Sequence, residues 1–215
     1  MAHVKANLTD MVASNEGLSL FAIGEKSTVV KDVLHNILTK DTAIKGVILA
    51  VEGDPDLRDI NEISSEHSIV MIGTKFPEIK GSGGLFDFKD INKEVMRRSP
   101  DLVLMGDIYQ ESLINDAIEL AGTGHKVIAR TKARNIGSIL LDLVRLFPKE
   151  QQALKCYDLI NTTNILVFER EEKTGVLVFD AATKEQLCKL FDGNGFDAVV
   201  MEEAINNKFM SQQGN

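Results

Sequence analysis

The feature that most limits what this chain can fold into is a set of short, β-branched apolar runs with no polar alternation. They lie at Leu18–Ala22, Val47–Val51, Ile69–Ile72, Leu102–Met105 and Val127–Ala129. A strand that faces solvent on one side alternates apolar with polar residues, whereas a strand covered on both sides does not. Helical periods fall between the runs. Val29, Val30, Val33, Leu34, Ile37 and Leu38 share one face, and so do Leu113, Ile114, Ala117, Ile118 and Ala121, closed by Gly122 and Gly124. Ile136, Ile139, Leu140, Leu143, Val144 and Phe147 make a third stripe, ending at Pro148. Strand and helix thus alternate from residue 18 to 148, which predicts an α/β fold with a mostly parallel sheet and helices on both faces.

After Pro148 the pattern changes. Ile165–Phe168 and Val176–Phe179 flank a charged turn, Glu169–Gly175, and predict an antiparallel C-terminal β-hairpin. A helix over Lys184–Phe191 and a short apolar run at Ala198–Met201 follow. Gly73–Asp87, with Pro77 and Gly81–Gly84, reads as a loop ahead of a helix at about 88–98. Residues 1–14 and 206–215 are read as polar tails around a single domain at 15–205.

Composition narrows the function. The net charge of -8 disfavours a general phosphate-backbone binder, and two tyrosines with no tryptophan supply few stacking platforms, so no nucleic-acid partner is expected. No apolar run is long enough to span a bilayer, so no membrane insertion is expected either. The N-terminus lacks the apolar stretch of a signal peptide, and Cys156 and Cys188 stand 32 residues apart without a metal-binding spacing. A cytoplasmic protein with core thiols is the expectation.

Three stretches carry candidate chemistry. In Gly17–Thr28 an apolar strand runs into Gly24-Glu-Lys-Ser-Thr28 and a helix begins at once. That is the context of a phosphate-binding loop, with Gly24, Lys26, Ser27 and Thr28 placed for ATP phosphates and Ser27 for Mg²⁺. The spacing is short, however, because a full loop has a glycine four residues before a Gly-Lys pair, so that successive N–H groups surround the phosphate. Here Glu25 precedes the lysine. The second stretch is Ser99–Asp107, a strand ending in a carboxylate where such folds orient Mg²⁺ or the attacking water. The third is Ala121-Gly-Thr-Gly-His125, whose histidine on its own fits a packing or capping role. Arg130, Lys132 and Arg134 read as a solvated strand exit or a small anion patch.

Taken together these residues resemble the PilT-like type IV pilus and secretion motor ATPases. The resemblance rests chiefly on residues 88–148: Lys93, Arg97, Pro100-Asp101, Leu102-Val-Leu-Met-Gly-Asp107, Ala121-Gly-Thr-Gly-His125, Val127 and Leu146-Phe-Pro148. Val51-Glu-Gly-Asp-Pro55 is similar to the family's acidic box with one insertion. The resemblance implies a RecA-like P-loop NTPase core, ATP with Mg²⁺ as cofactors, Asp107 and Glu52 as catalytic carboxylates, Asp54 as a Mg²⁺ ligand and His125 near the nucleotide. It also implies pilus or secretion motor subunits as partners, with possible peripheral attachment to the inner membrane through them.

The departures matter as much. Asp107 stands where the family has a longer glutamate, Tyr109 and Gln110 replace an Arg-Asp pair, and Lys132, Ala133 and Arg134 replace a His and two Thr. Phosphoryl transfer relies on phosphate cradling and charge placement acting as one unit, and losing several members is not rescued by the rest. The expectation is therefore a degenerate ATPase that acts by protein contacts. The alternatives are an active ATPase with an altered loop and a stand-alone α/β interaction domain. The N-terminal PAS-like domain that packs family hexamers has no counterpart in the sequence, so a standard homohexamer is not expected.

Overall fold

The computed structural model describes residues 2–24, 27–40, 48–51, 69–72, 91–170, 173–191 and 196–213. The strands are β1 (Gly17–Ala22), β2 (Ile48–Val51), β3 (Ile69–Ile72), β4 (Leu102–Asp107), β5 (Lys126–Thr131), β6 (Thr163–Arg170) and β7 (Lys173–Val178). The helices are α1 (Ala2–Ser14), α2 (Val29–Lys40), α3 (Ile91–Arg98), α4 (Glu111–Gly122), α5 (Ser138–Val144), α6 (Lys149–Thr162), α7 (Ala181–Cys188) and α8 (Ala198–Gln213), with a 3₁₀ turn at Lys189–Phe191.

Among the described residues there is a seven-stranded sheet in the order β3-β2-β4-β5-β1-β6-β7. All neighbours pair in parallel except β6 and β7, which form the expected antiparallel hairpin. The period of two then sorts side chains onto two cores. Leu18, Leu20, Val103, Met105, Val127, Ala129 and Leu166 face a layer built from α3 to α8. Phe21, Leu102, Leu104, Ile128, Ile165 and Val167 face α1 and α2. Coverage of both faces is why the strands show no polar alternation.

Local chemistry closes the elements. Gly124 ends α4 with φ 92, and His125 N–H reaches back to Leu120 O at 3.1 Å. Asp180 caps α7 by accepting from Thr183 N–H at 2.7 Å, so that helix begins at Ala181 rather than at Lys184. Gly17, at φ 114, opens β1 and donates its N–H to His125 O at 3.0 Å.

Both expected tails are helical. α1 spans most of 1–14 and lays Leu8 and Val12, each 1% exposed, into the core shared with α2. Leu8, Met11 and Val12 sit at helical spacing, and α2 needs that cover for its own apolar face. At the other end α8 runs to Gln213, burying Met201 and Ile205 and laying Phe209 over Gly175. The Gln212 amide donates to Val178 O at 3.1 Å and accepts from Val178 N–H at 3.0 Å, on the outer side of β7. The helix α6 was not expected at all. Pro148 precedes its first turn, a position where a missing N–H costs nothing. The Gly73–Asp87 loop lies outside the described residues.

One polar cluster joins α3 to α4. The Asn92 amide donates to Asp116 Oδ1 at 3.0 Å and to Glu119 Oε2 at 2.7 Å. Partial burial, then the Glu119 carboxylate one turn away, pushes Asp116 up to about 6, against the lowering effect of Asn92. A carboxyl whose folded pKa is raised penalises folding above that pKa. The penalty is relieved as pH falls from above 6 towards the unfolded value. The Asp116→Asn variant should therefore melt about 2 °C higher than the parent at pH 8, with the difference about halved at pH 5 and lost near pH 4. Thermal melts at the two pH values check this.

Candidate functional site

Because six neighbouring strands run in one direction, their C-terminal ends share one edge of the sheet, where open α/β folds place ligands. Gly24 leaves β1 there, Asp107 ends β4 and Thr131 ends β5. Phe21 and Asp107 both pair with Arg130, one from each side, which puts the β1 and β4 exits about 10 Å apart across β5. The fold thus brings Gly24, Ser27, Thr28 and Asp107 to one edge. It does not bring His125 there. His125 precedes β5 at the opposite edge, about 17 Å along the strand, with its Nδ1 3.1 Å from Thr123 Oγ1. In this chain it serves the α4 to β5 turn. Glu25, Lys26, Glu52 and Asp54 lie outside the described residues.

Several of the donors described in the turn after β1 are spent locally. Ser27 N–H donates to Gly24 O at 3.0 Å, and Ser27 Oγ accepts from Val29 N–H at 3.3 Å. Thr28 Oγ1 donates to Asp32 Oδ2 at 3.1 Å, while Asp32 N–H returns to Thr28 O at 2.7 Å. This is a helix cap at the start of α2. A phosphate cradle needs successive N–H groups turned outward onto the anion. The described residues of this turn do not fit that requirement, and a Cβ placed on Gly24 would meet no atom within 4 Å.

Asp107 is also engaged. The β4–β5 register shifts between Leu104 and Asp107, where Gly106 takes φ 64. The extra residue is a bulge, and only glycine adopts that backbone without strain. Past the bulge Arg130 Nε donates to Asp107 Oδ1 at 3.0 Å, with side chains 18% and 52% exposed respectively. Arg130 is thus an ion-pair partner rather than an open anion patch, and Arg134 lies 3.7 Å from Glu202. The reach of Arg130 was not legible in the sequence, because it depends on the β4–β5 register.

Beside Asp107 a cleft of about 310 Å³ opens between the exits of β4 and β5 and the end of α5. The loop that borders it, 132–137, is held by α8. Asn135 Nδ2 donates to Glu202 Oε1 at 2.9 Å, and Gly137 N–H donates to Asn206 Oδ1 at 3.0 Å. A Cβ on Gly137 would lie 2.5 Å from Glu202 O, so glycine is what lets α8 approach.

This architecture recurs in solved structures. The DotB ATPase of Yersinia pseudotuberculosis superposes with a TM-score of 0.74 at 24% identity, over 95% of this chain and 53% of that one. The pilus retraction motor PilT, solved with bound ADP, gives 0.68 at 14% identity, over 97% and 57% respectively. The chain has the fold of the pilus and secretion motor ATPases. Among curated proteins the type IV pilus ATPase PilU of Pseudomonas aeruginosa is 25% identical over 108 residues, half of this chain and 24% of PilU. The chain therefore spans about a quarter of that relative and about half of the solved motors. No known family model matches it. The resemblance read from residues 88–148 holds, and so does the α/β motor fold. Among the described residues no helix is long and apolar enough to cross a membrane.

Proposed function

We propose that the chain is a motor-fold protein with weak or no ATP hydrolysis that works in the cytoplasm through protein contacts, with pilus or secretion motor subunits as its partners. The observation that carries this reading is the internal use of the nucleotide edge. Ser27 N–H closes onto Gly24, Ser27 Oγ caps α2, and Asp107 pairs with Arg130. A carboxylate held by a guanidinium is a poor partner for a second cation or a water at the same oxygen. The substitutions at Tyr109, Gln110, Lys132, Ala133 and Arg134 act in the same direction.

The second reading is an active ATPase with an altered loop, favoured by the retained Lys26-Ser27-Thr28 triplet at the head of α2. It assigns Lys26, Ser27 and Thr28 to phosphate, Ser27 and Asp54 to Mg²⁺, and Asp107 with Glu52 to catalysis. Binding separates the two. Millimolar Mg·ATP should raise the melting temperature by less than about 1 °C, whereas a ligand held at micromolar affinity would raise it by about 10 °C. Calorimetric titration with Mg·ATP and Mg·ADP gives the same answer directly. Micromolar binding that Lys26→Ala abolishes, with turnover, would replace the first reading by the second.

A further inference from the structure

Lys184 and Cys188 stand one turn apart on α7, a spacing that puts their Cβ atoms about 5–6 Å from each other. Both side chains meet the same residue at the end of α6. Lys184 Nζ donates to Asn161 O at 2.7 Å and to Asn164 Oδ1 at 3.0 Å, while the Asn161 amide donates to Cys188 Sγ at 3.8 Å. Cys188 is partly exposed and Asn161 beside it is exposed, so small solutes reach the sulfur. An amide donor and an ammonium next to a thiol both favour its thiolate, the form that attacks an oxidant. The amine is set up for reaction too. Its two acceptors are carbonyl oxygens, which also bond a neutral amine, and no carboxylate pairs with it among the described residues. Partial burial lowers the Lys184 pKa, against the raising effect of the Cys188 charge. The other thiol competes poorly. Cys156 is fully buried, and burial, then the Cys188 charge, pushes it up to about 12. Roughly one Cys156 thiol in 10⁴ is ionised at pH 8 on that footing.

We propose that Lys184 and Cys188 form an oxidation-sensitive pair that closes into a covalent sulfur–nitrogen cross-link when the protein meets a hydroperoxide. The Cys188 thiolate attacks one peroxide oxygen. The O–O bond breaks, the sulfur is oxidised to a sulfenic acid, and the second oxygen leaves as water with the proton the thiol gave up. The lone pair of the Lys184 amine then attacks that sulfur. An S–N bond forms, the S–O bond breaks, and the hydroxyl leaves as water with one amine proton. One thiol, one amine and one hydrogen peroxide thus give one sulfenamide and two waters, with the peroxide reduced and the sulfur oxidised. A dithiol reductant reverses the step: its first thiolate takes the sulfur and releases the amine, and its second frees Cys188. The bond takes Lys184 Nζ away from Asn164, whose amide also holds Glu16 O at the entry to β1. The oxidation state of α7 is thereby felt at the corner where α6, β6 and β1 meet.

The test is mass spectrometry of the full chain after treatment with a small excess of hydrogen peroxide. The intact chain should become about 2 Da lighter, one hydrogen lost from the thiol and one from the amine, and dithiothreitol should restore the parent mass. Trypsin should no longer cut after Lys184 in the lighter species, because that side chain is blocked. Lys184→Arg should abolish the loss and leave instead a sulfenic acid at Cys188 that dimedone traps. Cys156→Ala should keep the loss in full, which separates the cross-link from a disulfide between the two cysteines. Melting temperatures confirm that both variants fold, and the tryptic map of the parent decides the matter without either. Continued cleavage after Lys184 in the oxidised parent, oxygen added to Cys188 with no loss of mass, or a loss that disappears in Cys156→Ala would each overturn the proposal.

Discussion

Replacing Gly17 with alanine should lower the melting temperature by about 10 °C. Gly17 sits at φ 114, a backbone that a Cβ disfavours by roughly 1–3 kcal/mol. The added carbon would also collide with the Asn164 amide nitrogen and lie 2.8 Å from Thr162 O. Neither can retreat cheaply. Thr162 O belongs to the end of α6, and the Asn164 side chain is tied to Glu16 O and to Lys184 Nζ. Lys184 in turn donates to Asn161 O at 2.7 Å. Overpacking of this kind adds about 1–3 kcal/mol. Circular dichroism melts of Gly17→Ala beside the parent measure the sum, and a shift under about 3 °C would show that the α6–β6 corner yields.

Leu8→Ala should cost about 3 kcal/mol, or close to 9 °C in melting temperature. Leu8 is 1% exposed among Val12, Val30, Val33, Leu34 and Ile37, so truncation leaves a cavity between two helices that cannot both close on it. A polar tail would show no effect from the same substitution. The measurement therefore decides between a folded α1 and the tail that composition alone suggests.

The sheet was readable because burial on both faces leaves a local mark, the unbroken apolar run. Leu18–Ala22, Ile69–Ile72 and Leu102–Met105 fall inside observed strands, and the hairpin of β6 and β7 announces itself by its charged turn. Helices α2 and α4 were legible for the same reason, each carrying a full stripe. Helices α1, α6 and α8 were not, because each buries only a few residues and dilutes them with polar ones. In α6 Cys156, Leu159 and Ile160 are buried while Leu154 and Tyr157 lie exposed, which blurs the period. At the candidate site, the sequence grouped Gly24 with Asp107, and the strands that carry them end at one edge of the sheet, about 10 Å apart across β5. It misplaced His125, since a histidine just before a strand and an aspartate at a strand's end mark opposite edges of a parallel sheet. The Asp107–Arg130 pair depends on strand register and on the Gly106 bulge, which no local pattern records.

The hydrogen bonds of Gln212 to both backbone groups of Val178 have a consequence for the company this protein keeps. An open strand margin is a template on which a passing chain can crystallise into more sheet. A side-chain amide carries the same donor and acceptor as a peptide unit, and here it occupies one rung where an intruding strand would register. The helix that fills the core on one side of β7 thus also stands sentry over its rim. A Gln212→Ala change would leave that core almost untouched, yet open the rung to strangers.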